Sequence, residues 1–477
     1  MYYTRWYFNL ILKYIGQIIY YSSFIFLIPI LFSLIFKEPF AFTLSYGISF
    51  IIVFLFGLIL YKFIPKNDFV ELSGVHYLLI ICGVWIIFCA AATLPYYVFG
   101  YNFIDSFFDA MSLLTTTGTT TLPYIVSTVS WHIWKALLSW IGGIGIVLIA
   151  FYGLLNTGLF TSKKIARAEG HDQMDVSYKD TIKDLWIIYT ILTVIGIVLL
   201  LLVGMDLLNS VTYTMSAIST TGHDMPNNDY IYQSNIQLAV SFIIFLGAIS
   251  FITHYKVYKE KNLFVYFKDM QVISMFLMAL VLFVIFYIYL SGTQTWQSII
   301  GLIIGAMGGG FTTFTPLMIA GLAPLLFFLL IFIMFIGGAK GSTAGGITQE
   351  RFLLLIKSVI WQIREIRLPD LSNISKKFNG RIIENTEIRL LYFFIASYVF
   401  FIIFGVLILT AYNYPLSTSI FEVVSTQGNI GVPIGIAEHS MSLIPKIVLI
   451  INMWVGRLEI IPIFGLIGMM FQKMGGR

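Results

Sequence analysis

Charged residues are scarce in this chain: Asp, Glu, Lys and Arg make up 11% of its 477 residues, and 28 Lys and Arg against 23 Asp and Glu leave a formal net charge of +5. A soluble domain carries about 25% charged residues, so the composition excludes that class and any large soluble domain with it. Cysteine is nearly absent. Cys82 and Cys89 lie seven residues apart on one face of an apolar segment; this fits core packing, because two ligands cannot close a zinc shell. His-Glu-x-x-His, paired intramembrane aspartates and a Gly-x-Ser-Gly serine with a helical histidine are also missing, which argues against an intramembrane enzyme. No small-residue cleavage site follows the first apolar stretch, roughly 8–36, so a retained helix is expected there rather than a signal peptide.

What the chain has in excess is apolar length, with 58% hydrophobic and 17% aromatic residues. Long runs fall near 8–36, 40–64, 76–99, 132–156, 184–204, 235–256, 270–291, 322–358, 387–412 and 445–471. Such runs can cross about 30 Å of hydrocarbon as helices, whereas a barrel would show alternation over about ten residues. Four shorter, half-apolar segments at 103–117, 206–221, 295–309 and 416–430 are long enough only to enter the membrane and return.

The basic residues are distributed unevenly. The loops at 62–75, 157–183, 256–268 and 351–389, with the two chain ends, hold 23 of the 28 Lys and Arg, while the opposite loops hold only Lys37, Lys135 and Lys446. The positive-inside rule therefore predicts cytoplasmic termini and four short segments that enter from outside. Lys340 and Arg457 fall inside spans.

Aligning the short segments exposes a repeat. Ser112 stands six residues before Gly118 in Ser-Leu-Leu-Thr-Thr-Thr-Gly, Ser216 six before Gly222 in Ser-Ala-Ile-Ser-Thr-Thr-Gly, and Ser425 six before Gly431 in Ser-Thr-Gln-Gly-Asn-Ile-Gly. The fourth segment, Gly305-Ala-Met-Gly-Gly-Gly-Phe-Thr-Thr, matches less well but aligns Gly310. Intervals of 104, 88 and 121 residues separate the four glycines. The expected architecture is an all-α polytopic membrane protein: four parallel helix–pore loop–helix repeats around a central pore with pseudo-fourfold symmetry, preceded by two extra transmembrane helices. Its units would be 1–70 for the leading helices, then 71–160, 161–262, 263–375 and 376–477 for repeats 1 to 4, with the second helix of repeat 3 interrupted.

Four such loops would converge on one point. A ring of backbone carbonyls there can replace the hydration shell of a monovalent cation. Glycine permits the backbone angles of the turn, threonine suits extended backbone and adds a hydroxyl oxygen, and each short helix would aim its negative end at the ion. Hard oxygen donors without a His or Cys cluster suit an alkali ion. One isolated Thr-Thr-Gly would read as a helix end or packing notch; three aligned copies and a fourth poorer one on the same side reverse that reading. The expected ion ligands are Thr116, Thr117 and Gly118; Thr220, Thr221 and Gly222; Gly308, Gly309 and Gly310; and Asn429, Ile430 and Gly431.

Over essentially its whole length the sequence resembles the Trk/Ktr/HKT superfamily of potassium transporters, and most of all its TrkH branch. The residues concerned are Thr116-Thr-Gly118, Ser219-Thr-Thr-Gly222, Phe421-Glu-Val-Val-Ser425, Asn429-Ile-Gly431, Trp140-Ile-Gly-Gly-Ile-Gly145, Gly337-Gly-Ala-Lys-Gly-Ser-Thr-Ala-Gly-Gly-Ile347 and Gly456-Arg-Leu-Glu-Ile460. The resemblance implies a K+-selective pore with one filter glycine per repeat, K+ as transported ion and no cofactor. It also implies a homodimer and a separate ring of nucleotide-binding cytoplasmic subunits, TrkA/KtrA-like; the lack of targeting segments and the Lys/Ile/Phe-rich composition point to a prokaryotic plasma membrane. In HKT relatives a serine at the first filter glycine goes with sodium selectivity; here that position is Gly118.

The resemblance also implies that an intramembrane loop beneath the filter gates the pore, a role falling on Gly337, Gly338, Gly341, Ser342, Thr343, Gly345 and Gly346. From its residues alone the stretch reads equally as a glycine-rich packing face or a flexible break. The chain departs from the family's pattern at Lys340, where a small or neutral residue is commoner, and at Thr348, where a basic one often follows. Lys340 either tunes the gate electrostatically or snorkels to the cytoplasm. An arginine in mid-span costs about 2.5–3.5 kcal/mol on insertion scales, so Arg457 reads as functional; the resemblance implies that it stands in the pore beneath the filter, a barrier to the cation or an anchor for the loop. Asp109 and Glu422 each precede a filter glycine by nine residues and either concentrate cations or make structural hydrogen bonds. His223 follows Gly222 and would make flux pH-dependent only if it titrates rather than bonding neighbouring backbone. Met307 to Gly310 lacks threonine, which predicts a looser third quarter and makes a sodium or mixed-cation permease the alternative.

Overall fold

The computed structural model describes residues 2–64, 74–123, 128–156, 178–222, 228–367 and 375–458. His223, Glu459 and most of the basic loop at 157–183 lie outside the described residues. Helix α1 (Tyr2–Ser22) runs through one 3-10 turn into α2 (Leu27–Ile35), and α3 (Phe40–Phe63) returns beside them. Repeat 1 comprises α4 (Gly74–Ala92), α5 (Phe103–Leu114) and α6 (Val129–Asn156); repeat 2 comprises α7 (Tyr178–Leu202), α8 (Leu207–Ile218), α9 (Ser234–Ala248) and α10 (Phe251–Glu260). In repeat 3 stand α11 (Met270–Leu290), α12 (Trp296–Gly308), a short α13 (Pro316–Ala320), α14 (Pro324–Ile336) and α15 (Gln349–Ile366). Repeat 4 consists of α16 (Asn385–Ala411), α17 (Leu416–Gln427) and α18 (Leu443–Arg457).

Helices prevail because each satisfies its own backbone, which hydrocarbon requires. Among the described residues six helices are long and apolar enough to cross a membrane, with the α9–α10 pair a seventh if counted as one bent span. Their outward faces stay apolar: Phe40 is 72% exposed and Ile288 71%, side chains that suit acyl chains and would be a liability in water. The four short segments fold as helices α5, α8, α12 and α17, three of 12 residues and one of 13. Three start on a side-chain cap three residues upstream of its donor: Asn102 accepts from the Asp105 N–H, Asp206 from Asn209 and Thr295 from Ser298.

Two local features differ from the sequence reading. The apolar run 235–256 is two helices bent by 90°, because Ile249 is extended and the carbonyls of Gly247 and Ala248, freed by the break, accept N–H groups from Thr343 and Ala339 at 3.2 and 2.9 Å. A two-stranded antiparallel hairpin, β1 (Lys377–Phe378) and β2 (Arg381–Ile382), sits in the basic stretch before α16. Its two-residue turn is Asn379-Gly380, both with positive φ, 48° and 79°, the backbone that matches strand twist in tight hairpins.

Candidate ion-coordinating site

The re-entrant helices converge end-on, and three close with the same cap. Thr117 N–H donates to Ser112 O at 2.7 Å, Thr221 to Ser216 O at 2.9 Å and Ile430 to Ser425 O at 2.9 Å, each across six residues. The residue in between is left-handed in every case: Thr116 at φ 55°, Thr220 at 58° and Asn429 at 50°. This cap turns the N–H groups back onto the helix. Among the described residues, the carbonyls of Thr117, Thr221 and Ile430 accept no backbone hydrogen bond outside the helices.

The glycine that follows each cap is left-handed too, Gly118 at 89°, Gly222 at 70° and Gly431 at 79°, and Gly310 joins them at 60°. A Cβ on Gly118 would lie 2.0 Å from Thr221 O, on Gly222 2.2 Å from Gly309 O, on Gly310 2.6 Å from Ile430 O and on Gly431 1.7 Å from Thr117 O. The approaches run from repeat 1 to 2, 2 to 3, 3 to 4 and 4 back to 1. They therefore close a ring in which the carbonyl preceding one glycine abuts the next glycine. Only glycine fits, both for space and for backbone angle.

The third quarter is built differently. Gly309 has φ −157° and ψ 1°, neither helical nor extended, Gly308 ends α12, and Phe311 N–H donates to Gly309 O at 2.6 Å. The six-residue bond here comes from Gly310 itself, to Gly305 O at 3.0 Å, so this strand reaches the ring one residue sooner. The Thr117, Thr220 and Thr221 hydroxyls serve the scaffold, Thr220 Oγ1 donating to Ser219 O at 2.6 Å, whereas the buried Thr116 hydroxyl has no hydrogen-bond partner among the described residues. Thr117 Oγ1 bonds Thr115 Oγ1 and accepts from Asn429 Nδ2, both at 3.0 Å, and Thr221 Oγ1 bonds Ser219 Oγ at 2.8 Å. Asn429 also donates to Met453 O at 2.9 Å, tying the fourth quarter to both the first quarter and α18.

Directly against this ring lies the break between α14 and α15. Gly337, Gly341 and Gly346 have positive φ of 72°, 74° and 82°, and the segment folds back so that Gly338 N–H meets Gly345 O at 3.3 Å. Thr343 is fully buried, and its hydroxyl reaches Ile218 O at 2.8 Å and Gly247 O at 2.9 Å in repeat 2. Ser342 Oγ donates to Ala339 O at 2.6 Å. A Cβ on Gly345 would meet Gly428 O at 2.1 Å, and one on Gly308 would meet Ala344 Cβ at 2.6 Å. Arg457, 3% exposed at the end of α18, donates from Nη1 to Thr343 O at 2.7 Å and from Nη2 to Gly142 O at 3.3 Å. One guanidinium therefore bridges the loop, repeat 4 and repeat 1.

A family profile described as TrkH, cation transport protein, matches residues 48–304 and 272–472. The chain belongs to the TrkH family of cation transport proteins. An uncharacterized cation transporter of Methanocaldococcus jannaschii is 30% identical over 474 residues, covering 97% of this chain and 96% of that protein. The Trk system potassium uptake protein TrkG of Escherichia coli is 26% identical, with 96% of this chain and 97% of the relative covered. The crystal structure of the potassium transporter TrkH from Vibrio parahaemolyticus superposes with a TM-score of 0.85 at 23% identity, covering 96% of this chain and 98% of that one. The overall fold is therefore the TrkH fold.

Within this TrkH-family fold the glycine-rich motifs have a common packing role. Gly142 on α6, Gly247 on α9 and Gly456 on α18 would place a Cβ 2.2, 2.5 and 1.9 Å from Leu114 O, Ile218 O and Gln427 O, so each lets a helix press against the end of a re-entrant one. Lys340 is partly buried, its Nζ 3.6 Å from Glu350 Oε1. Asp109 is buried, accepting from Tyr96 Oη at 2.8 Å and lying 3.4 Å from Lys135 Nζ; this is the structural alternative. Glu422 is buried as well, with no hydrogen-bond partner for Oε2. Sequence reasoning passed over Asp105. It gathers Lys446 at 2.6 Å, Thr121 at 2.7 Å, Asn102 at 2.6 Å and His439 at 2.8 Å, binding repeat 1 to repeat 4. Its one sequence signal was the Asn-x-x-Asp helix start.

Proposed function

We propose that this TrkH-family protein is a channel-like potassium uptake protein of a prokaryotic plasma membrane. The observation that carries this reading is the closed ring of four glycines and the carbonyls of Thr117, Thr221, Gly309 and Ile430. K+ is the transported ion and sheds its water onto these oxygens. The 337–348 loop is the gate, and Arg457 holds it against the ring while opposing a cation with its own charge. Repeats 71–160, 161–262, 263–375 and 376–477 each contribute one quarter. The bias of Lys and Arg among the loops supports cytoplasmic termini and re-entrant helices that enter from outside. Relatives known as Trk system potassium uptake proteins support a Trk-type system, in which the chain works as a homodimer with a ring of TrkA/KtrA-like nucleotide-binding subunits.

The test is cation flux through the purified protein in liposomes. Potassium influx should exceed sodium influx by about tenfold, a difference of about 1.4 kcal/mol, modest because the Gly309 carbonyl is already engaged by Phe311. Equal sodium and potassium influx would favour the mixed-cation alternative.

A further inference from the structure

The loop between α14 and α15 enters and leaves through backbone that residues with a side chain seldom adopt. At the entrance Gly337 has φ 72° and ψ −155°. At the exit Thr348 has φ 77° and ψ 147°, the largest positive φ among the described non-glycine residues. Both conformations fall in or beside the region that is essentially glycine's alone. The entrance is occupied by glycine, the exit by a β-branched residue, for which such angles are a genuine outlier. Thr348 is also buried, 7% exposed, and its hydroxyl has no hydrogen-bond partner among the described residues.

Two other threonines show what Thr348 forgoes. Thr295 and Thr315 open α12 and α13 at φ −75° and −70° with ψ 152° and 159°, and their side chains accept the N–H groups of Ser298 and Met318, three residues on. Thr348 opens α15 with nearly the same ψ but with φ of opposite sign, and its side chain makes no cap. Rotation about one bond, N–Cα, would give it ordinary angles and bring its hydroxyl to the Arg351 N–H as a stabilising cap. The position of the loop against the ring prevents this. Ile347 N–H donates to Phe335 O at 3.0 Å and Thr348 N–H to Ile336 O at 2.9 Å, which ties the chain before that bond to α14. Beyond the bond, Gln349 N–H donates to Gly338 O at 2.9 Å and Gln349 Nε2 to Gly337 O at 3.0 Å. Rotation at Thr348 swings one set against the other, so both sets cannot survive it.

We propose that Thr348 is a strained hinge that biases the 337–348 loop toward release from the ring. While the loop is seated, Thr348 is held in backbone suited to glycine and does not cap α15. When the loop is released, Thr348 relaxes to the angles of Thr295 and Thr315 and caps the helix. The bonds of Ile347, Thr348 and Gln349, with Arg457 on Thr343 O, hold the seated state against that bias. The consequence for transport rests on the loop being the gate; the hinge does not.

The rate at which a thiol in the loop is modified tests the hinge without reference to flux. Ser342 is 4% exposed; Ser342→Cys, made in the full chain with Cys82→Ala and Cys89→Ala, reacts with a water-soluble maleimide when the loop leaves its seat. Thr348→Gly takes the seated angles without strain and caps almost as well as threonine. It should slow the reaction about tenfold, a shift of about 1.4 kcal/mol. Thr348→Ser keeps both the Cβ and the hydroxyl and should react like wild type. Thr348→Pro fixes φ at about −65°, which forbids the seated angles, and should speed the reaction; if it fails to insert, the glycine and serine variants decide alone. Reaction of Thr348→Gly at the wild-type rate or faster overturns the proposal, as does equal slowing by Thr348→Ser and Thr348→Gly. Potassium flux into liposomes, measured without the cysteine changes, separates the hinge from the gate, and it should fall with Thr348→Gly in step with the labelling. Labelling in the expected order beside unchanged flux removes the gate and leaves the hinge standing. No potassium flux in any variant, wild type included, removes the transport reading alone.

Discussion

Gly431→Ala should lower potassium influx into liposomes by tenfold or more and bring potassium and sodium influx close to equal. Two effects combine. A left-handed backbone costs a residue with a Cβ about 1–2 kcal/mol, and at φ 79° alanine must accept it. The new Cβ would also sit 1.7 Å from Thr117 O, closer than any real contact, and the clash is relieved only by displacing that carbonyl from the ring. Gly204→Ala separates the two effects, since Gly204 has φ 96° but no atom within 4 Å of its Cβ position. That variant carries the backbone strain alone and should transport normally. Equal loss of flux in both variants would show that Gly431 matters for backbone stability and not for the ring.

Arg457→Gln should raise basal potassium flux by one to two orders of magnitude. Hydrogen bonds to a charged group contribute about 1.5–3 kcal/mol each. Arg457 makes two to backbone carbonyls, at 2.7 Å to the loop and 3.3 Å to repeat 1. Losing both, one of them long, weakens the arrangement in which the loop lies under the ring by about 2–3 kcal/mol, and about 1.4 kcal/mol is a factor of ten. Removing the charge also lowers the barrier to the cation itself. Glutamine is neutral, so the substitution lowers the cost of burying this position and the protein should insert and fold. Unchanged or reduced flux, with thermal unfolding equal to wild type, would mean that Arg457 is not the clamp.

Much of this architecture could be read from the sequence, because membrane insertion imposes strong local rules. Hydrocarbon demands long apolar helices, so segments too short to cross stood out, and the structure starts or ends them within a few residues: 103–117 against Phe103–Leu114, and 416–430 against Leu416–Gln427. The glycine intervals revealed the repeat because left-handed backbone has few alternatives to glycine. What stayed hidden depends on partners far apart in the chain. The 90° bend after Ala248 has no proline to announce it, and it persists because carbonyls freed there bind a loop some 90 residues on. The Asn379-Gly380 turn was a strong local signal, overlooked inside a stretch read only for its charge. The tighter third quarter was legible as missing threonines. The backbone of Gly309, neither helical nor extended, and the one-residue shorter path to the ring were not, since three consecutive glycines permit several backbones. The choice between structural and functional roles for Asp109 likewise awaited Tyr96 and Lys135, which no spacing rule connects to it.

In the proposed filter, four backbone carbonyls, one per repeat, hold the ion. Anomalous scattering from rubidium in crystals of the protein measures this directly. A rubidium peak is expected on the axis of the ring formed by Thr117, Thr221, Gly309 and Ile430, bounded by their carbonyl oxygens. A peak held instead by side chains such as Glu422 or Asp109, with no density in the ring, would contradict it.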